Sequence, residues 1–362
     1  MAIGYLIIQA RTAHDALPLS GVRIRILDDQ GQSVYDVTTD ESGETKRIAL
    51  ETMNRSLSLD PNFSGVPFIS YDVLALADGF NSVHIVGIPI LDGETAIQPI
   101  EFVPMREMQR SPTVTEIQIG APAVSMTGNR YQVGTDTEPR VLRQVVIPNP
   151  ITVHLGSPGA SASNVQVSFP DYVKNVASSE VYPTWPDASL RANIYAIITF
   201  ALNRVYTEWY RSRGYNFDIT NNTAYDQYFV YGRNIYESIS RIVDEIFNEF
   251  VRRQGQTAPY FTSFCNGTTA TCAGMSQWGT VTLANQGLSP LQILRSYYPR
   301  DVEIAETNII TGVLSSYPGT ALKTGSKGLD VQTIQTYLER IRRNYPAIPA
   351  ITDEAGVFGE ST

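Results

Sequence analysis

Cysteine and histidine are scarce in this chain. Its 362 residues hold two cysteines, Cys265 and Cys272, and three histidines, His14, His84 and His154, which lie far from them. A zinc site of neighbouring Cys and His is therefore not expected, nor is any other cofactor. Without a nearby histidine, Ser179 has no base to activate it, which counts against a serine hydrolase. Basic charge is also short: 27 Lys and Arg against 36 Asp and Glu give a net charge of −9. That balance argues against nucleic acid as a partner. No apolar run approaches the roughly 20 residues of a membrane span, so no membrane partner is expected. The opening "MAIGYLIIQARTAHD" lacks a basic n-region and a small-residue cleavage site. It reads as a first strand and not as a signal peptide.

What remains is an ordinary apolar fraction, 43 %, with few charges, 17 %, in a chain long enough for two or three domains. The negative charge is uneven. Residues 1–144 carry 11 basic against 18 acidic residues, a net −7; residues 145–362 carry 16 against 18, a net −2. Residues 1–103 read as all-β, with short β-rich runs such as "GYLIIQART" and "YDVLALADGF" separated by Gly, Asn and Asp turns. In "VRIRI", Val22, Ile24 and Ile26 alternate with Arg23 and Arg25, as in a strand with one wet face. The stretch "PLSGVRIRILDDQGQSVYDVTTDESGETK" resembles transthyretin-like, carboxypeptidase-regulatory-type domains and implies a small sandwich.

Residues 104–144 lack a sustained period. The polar "GTDTEPRVLRQ" turns apolar at Val145, which suits either an interdomain linker or a cleavage site. Helical stripes follow. Apolar residues at 190, 194, 197, 198, 201, 205 and 209 predict a helix capped by Asp187. A second stripe runs through Ile235, Ile239, Ile242, Ile246 and Phe250, and a shorter helix should open at Ser289 with Pro290 in its first turn. Near the end, Val331, Ile334, Leu338 and Ile341 form one face of a helix capped by Asp330. The stretch from there to "GVFGEST" offers too little core for a domain, so residues 320–362 read as an incomplete one.

Three stretches in order carry a more specific signal: "SSEVYPTWPDASLRANIYAIITFAL", "FDITNNTAYDQYFVYG" and "PYFTSFCNGTTATCAGMSQWGTVTLANQGLSPLQILRSYYP". Together they resemble the stage II sporulation protein D family of peptidoglycan lytic transglycosylases, over roughly 150 to 305. That family sets a catalytic glutamate in a Gly-Glu-Met-Pro-like turn before a long Ala-rich helix, which points to Glu180. Its Gly-Met-Ser-Gln-aromatic-Gly segment is matched by Gly274, Met275, Ser276, Gln277, Trp278 and Gly279. Two departures stand out. Ser179 replaces the glycine, and Val181 and Tyr182 intervene before Pro183. The zinc that some relatives bind is not carried over, because neither matching stretch has a histidine. The C-terminal "GSKGLDVQTIQTYL" resembles the opening helix of a peptidoglycan-binding module. The whole order resembles the clostridial spore cortex-lytic enzymes, multidomain proteins whose N-terminal part is a pro-region. The resemblance implies a β-sandwich pro-domain over 1–103, a pro-region linker over 104–144 and an α+β catalytic domain over 145–310. A partial helical binding module would follow over 320–362. It further implies spore localisation, cortex peptidoglycan as substrate, a pro-domain touching the catalytic domain, and a subtilisin-like germination protease cutting between Gln144 and Val145.

In such an enzyme the muramyl 6-hydroxyl attacks its own anomeric carbon, so one carboxyl serves as acid and then base, whereas ordinary glycosidases use two. Glu180 is the one carboxylate in a motif-like setting, with Asp218 and Asp226 as candidate helpers. To protonate a leaving oxygen it must hold its proton above the ordinary ~4.3, and Val181, Tyr182 and Trp185 are candidates for a desolvating wall. The resemblance assigns substrate contact to Tyr182, Ser276, Gln277 and Trp278, and less directly to Tyr225 and Gln227; a packed turn is the alternative for the "GMSQWG" residues. Cys265 and Cys272 flank "NGTTAT" and can close it as a disulfide or remain free thiols. Two other functions stay open: a non-catalytic wall-binding or coat protein, and an N-acetylmuramoyl-L-alanine amidase, against which the missing Cys/His cluster counts.

Overall fold

The computed structural model describes all residues except 1, 14–15, 107–110, 126–141, 312–320 and 345–348. About half of the expected linker, 104–144, lies outside the described residues. The chain divides into two compact units, Met1–Ile309 and Ile310–Thr362.

The first unit opens with β1 (Ala2–Thr12), β2 (Leu17–Pro18), β3 (Arg23–Leu27), β4 (Ser33–Thr38), β5 (Ile48–Thr52), β6 (Ile69–Leu76), β7 (Ser82–Ile90), β8 (Thr95–Phe102) and β9 (Val114–Gln118). It continues through β10 (Ile151–His154), β11 (Asn164–Val167), α1 (Phe169–Glu180), α2 (Asp187–Tyr206), β12 (Ile219–Thr220), β13 (Ile235–Tyr236) and α3 (Glu237–Ile246). Then come β14 (Glu249–Arg253), β15 (Phe264–Cys265), β16 (Met275–Ser276), α4 (Gln277–Asn285), α5 (Pro290–Tyr297) and β17 (Val302–Glu306). The architecture is mixed α/β.

Period-2 alternation builds the N-terminal part. In β3, Ile24 and Ile26 are buried while Arg23 and Arg25 face outward to pair with Asp78 and Asp36. The order β4-β3-β6-β7-β9 makes one five-stranded sheet. The second runs β13-β8-β1-β2, with β5 also on β1. Residues of β7 pack against β1, β5 and β8, so Leu6, Ile8, Val73, Ile85 and Ile100 share one core. The unexpected member is β13. Ile235 pairs with Ile97 and Tyr236 with Ala96, so a strand from the helical half completes an N-terminal sheet.

That pairing also resolves the second helical stripe. Ile235 and Phe250 belong to strands, and only Glu237–Ile246 is helical between them. The apolar spacing spans three elements because each end of the run is buried for its own reason. Asp187 is not the cap of α2: Pro186 holds that position with no side-chain cap, and Asp187 instead pairs with Arg191. Helix α2 is buried on nearly every face, so it is the central helix and not a one-stripe surface helix. Ser289 does cap α5, reciprocally with Gln292.

The second unit centres on α6 (Leu329–Asn344), with Asp330 in its first turn. Val331 is buried, but Ile341 is 45 % exposed, so the expected apolar face is not wholly covered. Gln335 fills the core instead: its amide donates to the Glu354 and Val357 carbonyls and accepts from Gly356 N.

Candidate active site

Glu180 ends α1, a helix that the stripe analysis did not predict. Its start is nonetheless written in "SFPDY": the Ser168 hydroxyl accepts Asp171 N–H, and Pro170 sits in the first turn. Phe169, Tyr172, Val173, Val176 and Ala177 bury one face. The glutamate therefore sits at a helix C-terminus and not in a free turn, and only 1 % of its surface is exposed.

Two donors meet its carboxyl from far along the chain. Tyr228 N–H donates to Oε1 at 2.9 Å, and the Gln277 side-chain amide donates to Oε2 at 3.2 Å. Each donor is positioned by local structure. Tyr228 belongs to a loop running along α1, where the Asn175 side chain exchanges two hydrogen bonds with the Val230 backbone. Gln277 is delivered by the pairing of β15 with β16 and by Ser276, whose hydroxyl caps α4 by accepting Gly279 N–H at 2.9 Å. The glycines of "GMSQWG" are steric. A Cβ on Gly274 would lie 2.0 Å from the Ser263 carbonyl oxygen, and one on Gly279 would lie 2.0 Å from the Tyr297 hydroxyl. Cys265 and Cys272 are joined as a disulfide, closing the loop beside this segment.

The wall is aromatic. Trp185 and Trp278 lie 4.9 Å apart, and Tyr182 meets both edge-on at about 6 Å. Val181, Tyr182 and Trp185 are all buried. Burial raises the Tyr182 phenol above its usual value, against a hydrogen bond with Ser125. Burial likewise raises Tyr228, with Arg233 opposing and Glu180 adding.

Other expected residues are placed differently. Gln227 is occupied inside the fold, its Oε1 accepting from the Tyr172 hydroxyl and its Nε2 donating to the Ile197 carbonyl. Tyr225 lends its carbonyl to Arg204 and its N–H to the Asn222 carbonyl. Asp226 is buried and accepts from Arg204, Tyr210 and Thr220, while Asp218 accepts from Arg211 and Thr152 N. Both aspartates hold backbone and cations in place, so neither is offered to Glu180 as a helper. Gln144 is exposed, but Val145 is 4 % exposed and its carbonyl accepts from Thr307. A cut between them requires this stretch to open.

The N-terminal part packs against the segment that follows Glu180 and against the start of α3. Trp185 Nε1 donates to the Ser58 carbonyl at 3.0 Å, and the Ser58 and Thr184 hydroxyls share a 2.7 Å bond. Arg55 donates to the Thr184 carbonyl, and Tyr236 OH to the Pro89 carbonyl. The Ser238 hydroxyl donates to Glu94, whose carboxyl burial holds above its usual value, while Ser238 and Arg55 pull it back.

No protein-family model matches the chain, and no curated protein does. Among solved structures, the Bacillus anthracis TIE protein is similar at 16 % identity over 29 % of this chain, with a TM-score of 0.20; the chain spans 17 % of that protein's length. Klebsiella pneumoniae 5-hydroxyisourate hydrolase is similar at 13 % identity over 28 % of this chain and 92 % of its own, at TM-score 0.20. GBS52, a minor pilin of Streptococcus agalactiae, is similar at 16 % identity over 30 % of this chain and 49 % of its own, also at 0.20. Likenesses this slight decide nothing about function.

Proposed function

We propose that the chain is the latent form of a peptidoglycan lytic transglycosylase of spore cortex, related to the stage II sporulation protein D family, with Glu180 as its acid and base. The observation that carries this reading is the convergence on one buried carboxyl of a backbone N–H and the amide of Gln277, next in sequence to Trp278 of the aromatic cluster. Protonated Glu180 gives its proton to the glycosidic oxygen as the bond to the muramyl anomeric carbon breaks. The muramyl 6-hydroxyl then closes on that carbon and returns a proton to Glu180, leaving a 1,6-anhydro end with no water consumed. Gln277 and Tyr228 N–H hold the carboxylate in place between the two transfers. Residues 1–144 form the pro-region, a transthyretin-like sandwich over 1–103 parked over the site and a linker over 104–144, and removing them exposes it.

Glu180→Gln keeps the shape and removes the proton. After cleavage at Gln144–Val145, the wild-type chain is expected to clear a cortex suspension and the variant to leave it intact, at equal thermal stability. Equal clearing by both would refute the assignment and favour an amidase, and no clearing by either would favour a binding protein.

A further inference from the structure

Arg233 lies at the same site without a role in the chemistry above. It is 1 % exposed, and among the described residues no carboxylate stands within ion-pair distance of it. Nη1 donates to the Ser178 carbonyl at 3.0 Å, one of the open carbonyls at the end of α1. Nη2 donates to the Gly120 carbonyl, and Nε is buried with no partner among the described residues. A buried guanidinium with an unused donor is costly unless another acceptor comes to it.

The partner at Nη2 belongs to the other side of the expected cut. Gly120 lies in the stretch just before 126, which also brings Ser125 to the Tyr182 phenol in the aromatic wall. That stretch therefore presents an amide carbonyl to the cation beside Glu180 and a hydroxyl to the wall. Both are groups that a glycan bearing acylamino substituents would present.

We propose that Arg233 is a substrate-binding residue whose acceptor is an amide carbonyl of the glycan, and that the Gly120 carbonyl occupies its place in the latent chain. The inference rests on the lytic reading only for its choice of ligand. The carbonyl can belong to an acetamido group or to the lactyl amide of a muramyl residue. Once the pro-region leaves, Nη2 is free and Nε points to the same vacancy, so the fork can take one oxygen with two donors.

The test is equilibrium binding to the chain cut at Gln144–Val145, in the Glu180→Gln background, so that turnover plays no part. The probes are tetra-N-acetylchitotetraose, which has acetamido groups only, and a stem-bearing muropeptide dimer. Each probe should displace fragment 1–144, read by size exclusion, and Arg233→Gln should weaken binding about ten- to a hundredfold, as expected for losing a charged donor. Arg233→Lys should recover part of it. Loss with both probes identifies the acetamido carbonyl, and loss with the muropeptide alone identifies the lactyl amide. Undiminished probe affinity in Arg233→Gln, or probe and fragment bound together without competition, would overturn the proposal even if the variant melts earlier. Arg233-dependent binding by a wild-type chain that releases no anhydro ends would refute the lytic reading and leave this one standing.

Discussion

At the residue scale the chemistry depends on how one carboxyl is held. Glu180 accepts from a backbone N–H that substitution cannot remove and from a side chain that it can. Gln277→Ala should therefore lower kcat of the cut enzyme about tenfold or more, since a hydrogen bond to a charged group contributes about 1.5–3 kcal/mol. Steady-state rates on soluble cortex fragments check this, and an unchanged kcat would mean that Gln277 only packs. Glu180 and Gln277 were legible in the sequence because the turn and "GMSQWG" motifs mark them. Tyr228 was not, since its contribution is a main-chain N–H, which leaves no trace in residue type. Gln227 and Asp226 looked available for the same reason in reverse: a polar residue in a motif-like stretch does not reveal that its hydrogen bonds are already made inside.

At the element scale, the disulfide and the pairing of β15 with β16 bring Gln277 across to α1. Closing so short a loop constrains the unfolded chain by about 2 kcal/mol. Reduction should lower the unfolding free energy by that amount, shift the denaturation midpoint down and reduce activity with it. A midpoint that does not move on reduction would mean the bond does not constrain the loop. Strands with alternating faces, such as β3, and the capped start of α5 were readable from local pattern. Helix α1 carries a local cap but only a short apolar stripe, 12 residues in all, too brief to stand out by period. Strand β13 could not be read at all: two residues become a strand only because β8, far off in sequence, offers an edge.

Across the whole molecule, the proposed pro-region is held by more than the covalent link. A shared sheet, the Trp185–Ser58 bond and the Ser238–Glu94 bond all join the two halves. Burial raises Glu94 above its ordinary 4.5, so the packed state binds its proton more tightly than the separated state. Its contribution is full below 4.5 and is lost as pH rises through the raised value, so the cut fragment should dissociate more readily at about pH 7 than at about pH 4. Glu94→Gln should flatten that dependence. A profile that stays steep in the variant would assign it to another group. The succession of a strand-rich and a helix-rich part was legible through local pattern. The merging of β-domain and helical domain into one compact unit was not, because it depends on contacts between segments far apart in sequence.

If Glu180 catalyses glycan cleavage and is kept out of reach until residues 1–144 are removed, mass spectrometry of fragments released from purified cortex should separate the intact chain from the chain cut at Gln144–Val145. The cut chain should release 1,6-anhydro-muramyl ends and the intact chain none. Reducing ends, free stem peptides or equal release before and after the cut would rule this out.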